Sequence, residues 1–198
     1  MLESLKSRPI TTLPDAITFE GRILYLTVDP ALVRSQLQGQ DLSWTPDIPL
    51  RDDISTDEIT PAYICYYYDQ TLGDFPYLGL KCGEEFPITR GSVRAGGEQS
   101  PYAELMAGVQ LVVAENIERI YRENCQNLGV FTSTDFAVLD RVRRGEPIPL
   151  AVFTAGEGGI TRGIIEHGGL FQYNVARMQG KVRVPEVTTP KRPMTLAE

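Results

Sequence analysis

The sequence predicts a layered α/β domain, and three features predict it. Apolar residues make up 42% of 198 residues, enough for a sizeable core. Along the second half, short apolar runs alternate with stretches of helical spacing, as when strands exchange with helices. The edges of those stretches carry proline at helix starts and glycine at helix ends, where each residue's backbone preference belongs.

The elements follow in chain order. Residues 1–18 are polar and proline-marked, and are expected as an arm lying on the surface or on a partner. "GRILYLTVD" (21–29) reads as a strand, and "DPALVRSQLQGQ" (29–40) as a helix with Pro30 at its first position. Residues 41–63 are crowded with prolines and turn formers and are expected as a long ordered loop. "YICYYYDQ" (63–70) fits a strand or a short helix, and "YLGLKCG" (77–83) a buried strand. In "SPYAELMAG" (100–108), Ser100 caps an expected helix, Pro101 takes N1 and Gly108 ends it. "VQLVVAE" (109–115) is a strand candidate. "NIERIYRENCQNLG" (116–129) follows as a helix, by the spacing of Ile117, Ile120, Tyr121 and Leu128 and the stop at Gly129. A strand at 130–134, a helix at 135–145 with basic residues in its last turn, a strand at 148–153 and a short helix at 159–169 complete the alternation. Residues 185–198 form a polar, proline-containing tail.

Charge and composition exclude several function classes. A net charge of −7 argues against non-specific nucleic-acid binding, whose energy comes from Lys and Arg neutralising phosphates. No run approaches the ~20 apolar residues needed to cross a bilayer. The N-terminus has no apolar stretch of signal-peptide length, so a cytoplasmic protein is expected. Cys65, Cys82 and Cys125 are far apart and form no Cys-x-x-Cys pair. Neither a disulfide framework nor a zinc or iron–sulfur site is expected on this chain. His167 alone cannot furnish a multi-histidine site, and no metal ligands are assigned.

The most distinctive stretch is "ITRGSVRAGGEQSPYAEL" (88–105). Serine in a glycine loop is ordinarily a turn residue, and Ser92 has no histidine beside it in sequence to make it a base. Arg94, with Arg90 close by, suits carboxylate clamping, because guanidinium donates two parallel bonds in a fixed fork. Gly91, Gly96 and Gly97 would let backbone N–H groups approach an anion, or serve as a hinge. Loop 88–99 is therefore expected to be mobile without partner or substrate. No Gly-Lys-Ser/Thr follows, so this is not a P-loop. Asp52, Asp53, Asp57 and Glu58 lack EF-hand spacing and are expected to do capping and turn work. Arg119 and Arg122 are expected as surface or interface charges, and His167 as a helix cap.

Two segments carry a resemblance to a known family. "DDISTDEITPA" (52–62) resembles the Asp-Asn-x-x-Thr-Asp-x-Ile-x-Pro signature near the start of the small subunit of isopropylmalate dehydratase. "GEEF" (83–86), Gly91-Ser92-Val93-Arg94 and the stretch from Glu98 to Val130 resemble that family's Gly-Glu-Asn-Phe, Gly-Ser-Ser-Arg-Glu-His and following helix–strand–helix. The order is the family's, across about residues 45–135.

The resemblance implies the swivelling β/β/α three-layer domain of the aconitase superfamily, here over 19–184 between the 1–18 arm and the 185–198 tail. It implies one subunit of a two-subunit hydro-lyase acting on a hydroxy di- or tricarboxylic acid. The [4Fe–4S] cluster is implied on a large iron–sulfur subunit, with none bound by this chain. Ser92 is implied as catalytic and Arg94 as substrate-binding, with Arg90, Gly91, Gly96 and Gly97 completing the loop. An arginine beside the serine fits preorganised charge at a developing oxyanion. The spacing departs from the family, which runs Gly-Ser-Ser-Arg directly into Glu-His. A gapped reading keeps Gly91-Ser92-Val93-Arg94 as the motif and treats Ala95-Gly96-Gly97 as inserted. A gapless reading puts Ala95-Gly96-Gly97 in place of the family's Ser-Ser-Arg. A second class stays open beside the enzyme: a non-catalytic binding or regulatory swivel module whose catalytic loop has diverged.

Overall fold

The structure is a computed structural model that describes residues 2–64, 70–93 and 108–183. The helix expected at 101–107 and the tail from 185 lie outside the described residues.

In the second half, strand β2 (Leu111–Val113) runs parallel to β3 (Phe131–Ser133), with Leu111 opposite Phe131 and Val113 opposite Ser133. Parallel strands need a crossover, and helix α4 (Arg119–Leu128) supplies it. Glu118 caps α4 by accepting the N–H groups of Ile120 and Tyr121. Gly129 ends it at φ +84°, a left-handed turn that glycine takes cheaply. The N–H of Val130 then returns to the Cys125 carbonyl, and the chain enters β3. Helix α5 (Ala137–Arg143) follows, with Arg141 and Arg143 at its C-terminal end as the macrodipole favours.

The expected strand at 148–153 is corrected to two elements. Only β4 (Ile148–Pro149) is extended, and it pairs antiparallel with β1 (Ala16–Ile17). Leu150 then turns helical, donating its N–H to the Asp15 carbonyl, and Ala151–Thr154 form helix α6. A short apolar run is compatible with either element, so its period could not separate them. Helix α7 (Gly159–Glu166) appears as expected, and His167 is its C-cap, with Nδ1 2.6 Å from the Gly163 carbonyl. Helix α8 (Leu170–Met178) follows with no side-chain cap at its start. Helices α4, α7 and α8 pack together where Gly129 meets the Gly168–Gly169 turn. A Cβ at Gly129 would sit 2.5 Å from the Gly168 carbonyl oxygen. The core beneath holds Phe19, Val138, Ile148, Leu150, Phe153 and Ile165.

The first half is built differently. Helix α1 (Leu2–Lys6) touches α8, and the Gln179 side chain bonds the carbonyls of Leu5 and Arg8. Helix α2 (Pro30–Leu37) is capped by Asp29, which accepts the Ala31 N–H. The expected strand at 21–28 is corrected to an extended segment with a single bridge, Thr27 to Leu50. The buried Gln36 amide on α2 explains this, because it accepts from the Tyr25 N–H at 2.8 Å and donates to the Tyr25 carbonyl at 3.0 Å. One side chain thus satisfies backbone groups that a neighbouring strand would otherwise serve. The expected strand at 77–82 is likewise corrected: 76–79 are turn, and Cys82 makes one bridge to Glu85.

These small sheets and short helices make a mixed α/β chain. Among the described residues, no helix is long and apolar enough to cross a membrane.

Candidate functional site

Between residues 51 and 93, two stretches singled out by sequence lie on one core. Val33, Tyr77, Leu80, Cys82, Ile88 and Val93 form a buried cluster, and Ile54 and Ile59 pack against it. Ile54 and Ile59 belong to "DDISTDEITPA", while Ile88 and Val93 flank Arg90, Gly91 and Ser92. The apolar residues of both stretches are therefore the joint that brings their polar residues into one neighbourhood.

The first stretch is shaped by Glu58. Helix α3 (Thr56–Ile59) opens with a capping box, in which the Ser55 hydroxyl accepts the Glu58 N–H and the Glu58 carboxylate accepts the Ser55 N–H. The same carboxylate takes a 2.8 Å bond from the Arg51 guanidinium, and the pair is largely buried, at 24% and 19% exposure. Burial pushes the Glu58 carboxyl up. The Ser55 N–H, the Arg51 side chain and the Lys81 N–H together outweigh it, leaving the group below its ordinary value. Arg51 Nε is buried with no hydrogen-bond partner, so the pair is incompletely satisfied. Asp52 accepts the N–H of Asp53, which sits at φ +48°. Turn and capping work by this acidic group is what the structure displays for Asp52 and Glu58. Gly79 allows 77–82 to pass close by, since a Cβ there would overlap the Asp57 carbonyl. The Tyr77 N–H donates to the Ile59 carbonyl at 2.7 Å across the same contact.

The second stretch is firmly held where it is described. Ile88 and Val93 are buried at both of its ends. Gly91 takes φ +77° and donates its N–H to the Asp74 carbonyl at 2.6 Å. Arg90 reaches the Asp74 carboxylate at 3.3 Å and lies over the Phe75 ring, 4.8 Å from its centroid, with most of its side chain in solvent. The Ser92 hydroxyl accepts the Thr89 N–H at 3.1 Å and donates to the Thr89 carbonyl at 2.8 Å. That is turn geometry, and the Oγ–H must leave Thr89 before it can serve a substrate. Of the loop 88–99, residues 88–93 are anchored at Ile88, Gly91 and Val93, and residues 94–99 lie outside the described residues. Arg94, Gly96 and Gly97 lie outside the described residues.

Sequence reasoning did not single out Arg51, Asp74 or Phe75 as parts of this neighbourhood. For Arg51 a signal existed, because an arginine directly before an acidic run is poised to pair within it. Asp74 and Phe75 become relevant through the fold alone. Arg119 pairs with Glu123 and Arg122 with Glu157 on the surface of α4.

The described residues do not fit an iron–sulfur cluster. Cys82 donates to the Thr27 carbonyl inside the site core, and Cys125 belongs to a separate cluster with Val109 and Val130. Burial pushes the Cys82 thiol above its usual range, away from the thiolate a cluster binds. No three His, Cys, Asp or Glu side chains converge as a metal site among the described residues.

No protein-family model matches the chain, and no solved structure matches it. Curated relatives do. A 3-isopropylmalate dehydratase small subunit of Nitratidesulfovibrio vulgaris is 30% identical over 152 residues, covering 65% of this chain and 91% of the relative. The 3-isopropylmalate dehydratase small subunit of Pyrobaculum aerophilum is 35% identical over 127 residues, covering 57% of this chain and 73% of the relative. An isopropylmalate/citramalate isomerase small subunit of Methanocaldococcus jannaschii is 26% identical over 153 residues, covering 64% and 90%. The class is thereby defined as a small subunit of an aconitase-type hydro-lyase. Within that class, the chain belongs to the 3-isopropylmalate dehydratase small-subunit family.

Proposed function

We propose that this chain is the swivelling β/β/α half of a cytoplasmic hydro-lyase that removes water from, and returns it to, a hydroxy di- or tricarboxylic acid. The swivel domain spans 19–184, with 1–18 as an arm and 185–198 as a tail. Its partner is a large subunit carrying the [4Fe–4S] cluster, which supplies Lewis-acid chemistry at the substrate hydroxyl. The observation that carries this reading is the shared core, in which Ile54, Ile59, Ile88 and Val93 join the two stretches that resemble the family's signatures.

Dehydration takes a proton from one carbon and hydroxide from its neighbour. Ser92 is assigned the proton: its hydroxyl turns from the Thr89 carbonyl and gives up its own proton to solvent. The oxyanion, stabilised by nearby positive charge, takes the proton from carbon. Arg94 holds a substrate carboxylate in its fork, and Arg90 adds positive charge once it releases Asp74. Gly91, Gly96 and Gly97 let the backbone of the loop come close to that anion.

The test is reconstitution with the large subunit. Arg94→Lys keeps the charge and loses the fork, and should weaken transition-state binding by ~2–3 kcal/mol. Ser92→Ala should lower turnover more than affinity. Near-full activity in both variants would reject the gapped alignment in favour of Ala95-Gly96-Gly97 at the motif position. The second reading, a module without catalytic residues, draws on the Ser92 hydroxyl already being spent on Thr89. It requires that the assembled wild-type complex gain stability from this chain while showing no turnover.

A further inference from the structure

Trp44 is the chain's one tryptophan, and it stands in a loop that is otherwise largely exposed. Its indole stacks on Tyr25 at 5.9 Å with planes 8° apart, and on Phe136 at 5.9 Å with planes 30° apart. Tyr25 is itself buried, and Arg143 on α5 lies over its ring at 5.4 Å and donates to its hydroxyl. The stack therefore joins the loop to segment 21–28 and to the start of α5.

From this anchor the chain is tied down step by step toward the site. The indole N–H donates to the Ile48 carbonyl at 2.9 Å. The Val28 N–H donates to the Pro49 carbonyl at 3.1 Å, Leu50 bridges Thr27, and the Arg51 N–H donates to the Leu26 carbonyl at 2.7 Å. The signature stretch begins at the next residue, Asp52. Without the indole, residues 42–48 would keep little buried area to order them, since burial of an aromatic ring dominates such contacts.

We propose that Trp44 is a positioning residue: it acts through 48–51 to hold Ser55, Glu58 and the rest of 52–62 in register with 88–93. Its link to catalysis rests on the hydro-lyase reading above, while its link to loop order does not.

Two variants of the full chain separate this role from bulk stability. Trp44→Leu removes the stack, whereas Trp44→Phe keeps a ring between Tyr25 and Phe136 and loses only the bond to Ile48. Hydrogen exchange is read at the Glu58, Ile59 and Thr60 amides, which bond Ser55 and Thr56 carbonyls, and at the Arg122 amide in α4 as reference. Trp44→Leu should speed exchange at 58–60 about tenfold while leaving Arg122 unchanged, and Trp44→Phe should restore most of the protection. Unchanged exchange at 58–60, or equal acceleration at Arg122, overturns the proposal. In the complex with the large subunit, Trp44→Leu should lower kcat about tenfold with Trp44→Phe recovering it, well below the melting temperature. Altered exchange with unaltered kcat and KM would overturn the catalytic link. An inactive wild-type complex would instead count against the hydro-lyase reading and leave the exchange result standing.

Discussion

The two halves of this molecule hold their cores by different means. In the C-terminal half, Phe131 and Phe153 pack at 4.7 Å with Phe19 edge-on to both, under short sheets and helices. Around the site, the core of Val33, Leu80, Cys82, Ile88 and Val93 lies between helix α2 and segments whose strand pairing, among the described residues, is limited to isolated bridges. There scattered backbone bonds are joined by side-chain hubs, such as Gln36 on Tyr25 and Glu58 on Ser55 and Lys81. Regular ladders spread a perturbation over many equal bonds, whereas a side-chain hub concentrates it in one residue. The site half should therefore respond locally and the C-terminal half globally.

The largest effect is expected in the aromatic core. Phe153→Ala leaves a cavity beneath both sheets and should cost about 3–5 kcal/mol, seen as one cooperative shift in thermal melting. Leu80→Ala, at a fully buried position, should cost about 2–5 kcal/mol and loosen both signature stretches. Exchange at 54–59 and 88–93 should then rise more than in α4, and a uniform rise would erase the contrast between the halves.

A smaller effect belongs to Glu58. Replacing it with Gln leaves Arg51 without its counter-charge and should cost about 1–3 kcal/mol near neutral pH. Because the folded carboxyl titrates below its ordinary value of 4.5, its stabilisation is complete above that value and is lost as pH falls through the lower folded one. The wild type should therefore keep its advantage over Glu58→Gln above the ordinary carboxylate value and lose it as pH falls below that value, in urea melts at each pH. A constant difference would deny the ion pair this role. The smallest effect is at the solvent-exposed Arg119–Glu123 pair on α4, where Arg119→Ala should leave the melting curve unchanged.

How far each half could be read in advance follows from the same contrast. In α4, the stop at Gly129 and the following β-branched run agree, and helix and strand both appear within their expected spans, although the helix begins at Arg119, after Ile117, and Ile120 is exposed. At 148–153 the same apolar character misleads, because Ile148, Leu150 and Phe153 are buried across a change from strand to helix, which a run this short cannot announce. Segments 21–28 and 77–82 have strand composition, yet their partners are Gln36 and the α3 turn, which no local pattern announces. The candidate site was legible as two motifs and as the loop residues Arg90, Gly91 and Ser92. That Arg90 would rest on Asp74 and Phe75, and that Ser92 would bond Thr89, are products of the fold. Trp44 was read only as part of a long loop, because its task depends on Tyr25 and Phe136, far apart in the chain.

The central claim, that this chain supplies one half of a hydro-lyase site, is tested most directly by mixing. The purified chain and its large subunit, with the cluster intact, are assayed separately and together for hydration and dehydration of 3-isopropylmalate and related hydroxy acids. The account predicts no turnover by this chain alone and turnover on mixing, saturating at a fixed subunit ratio and lost with Ser92→Ala. Turnover by the chain alone, or an active large subunit indifferent to its addition, would contradict it.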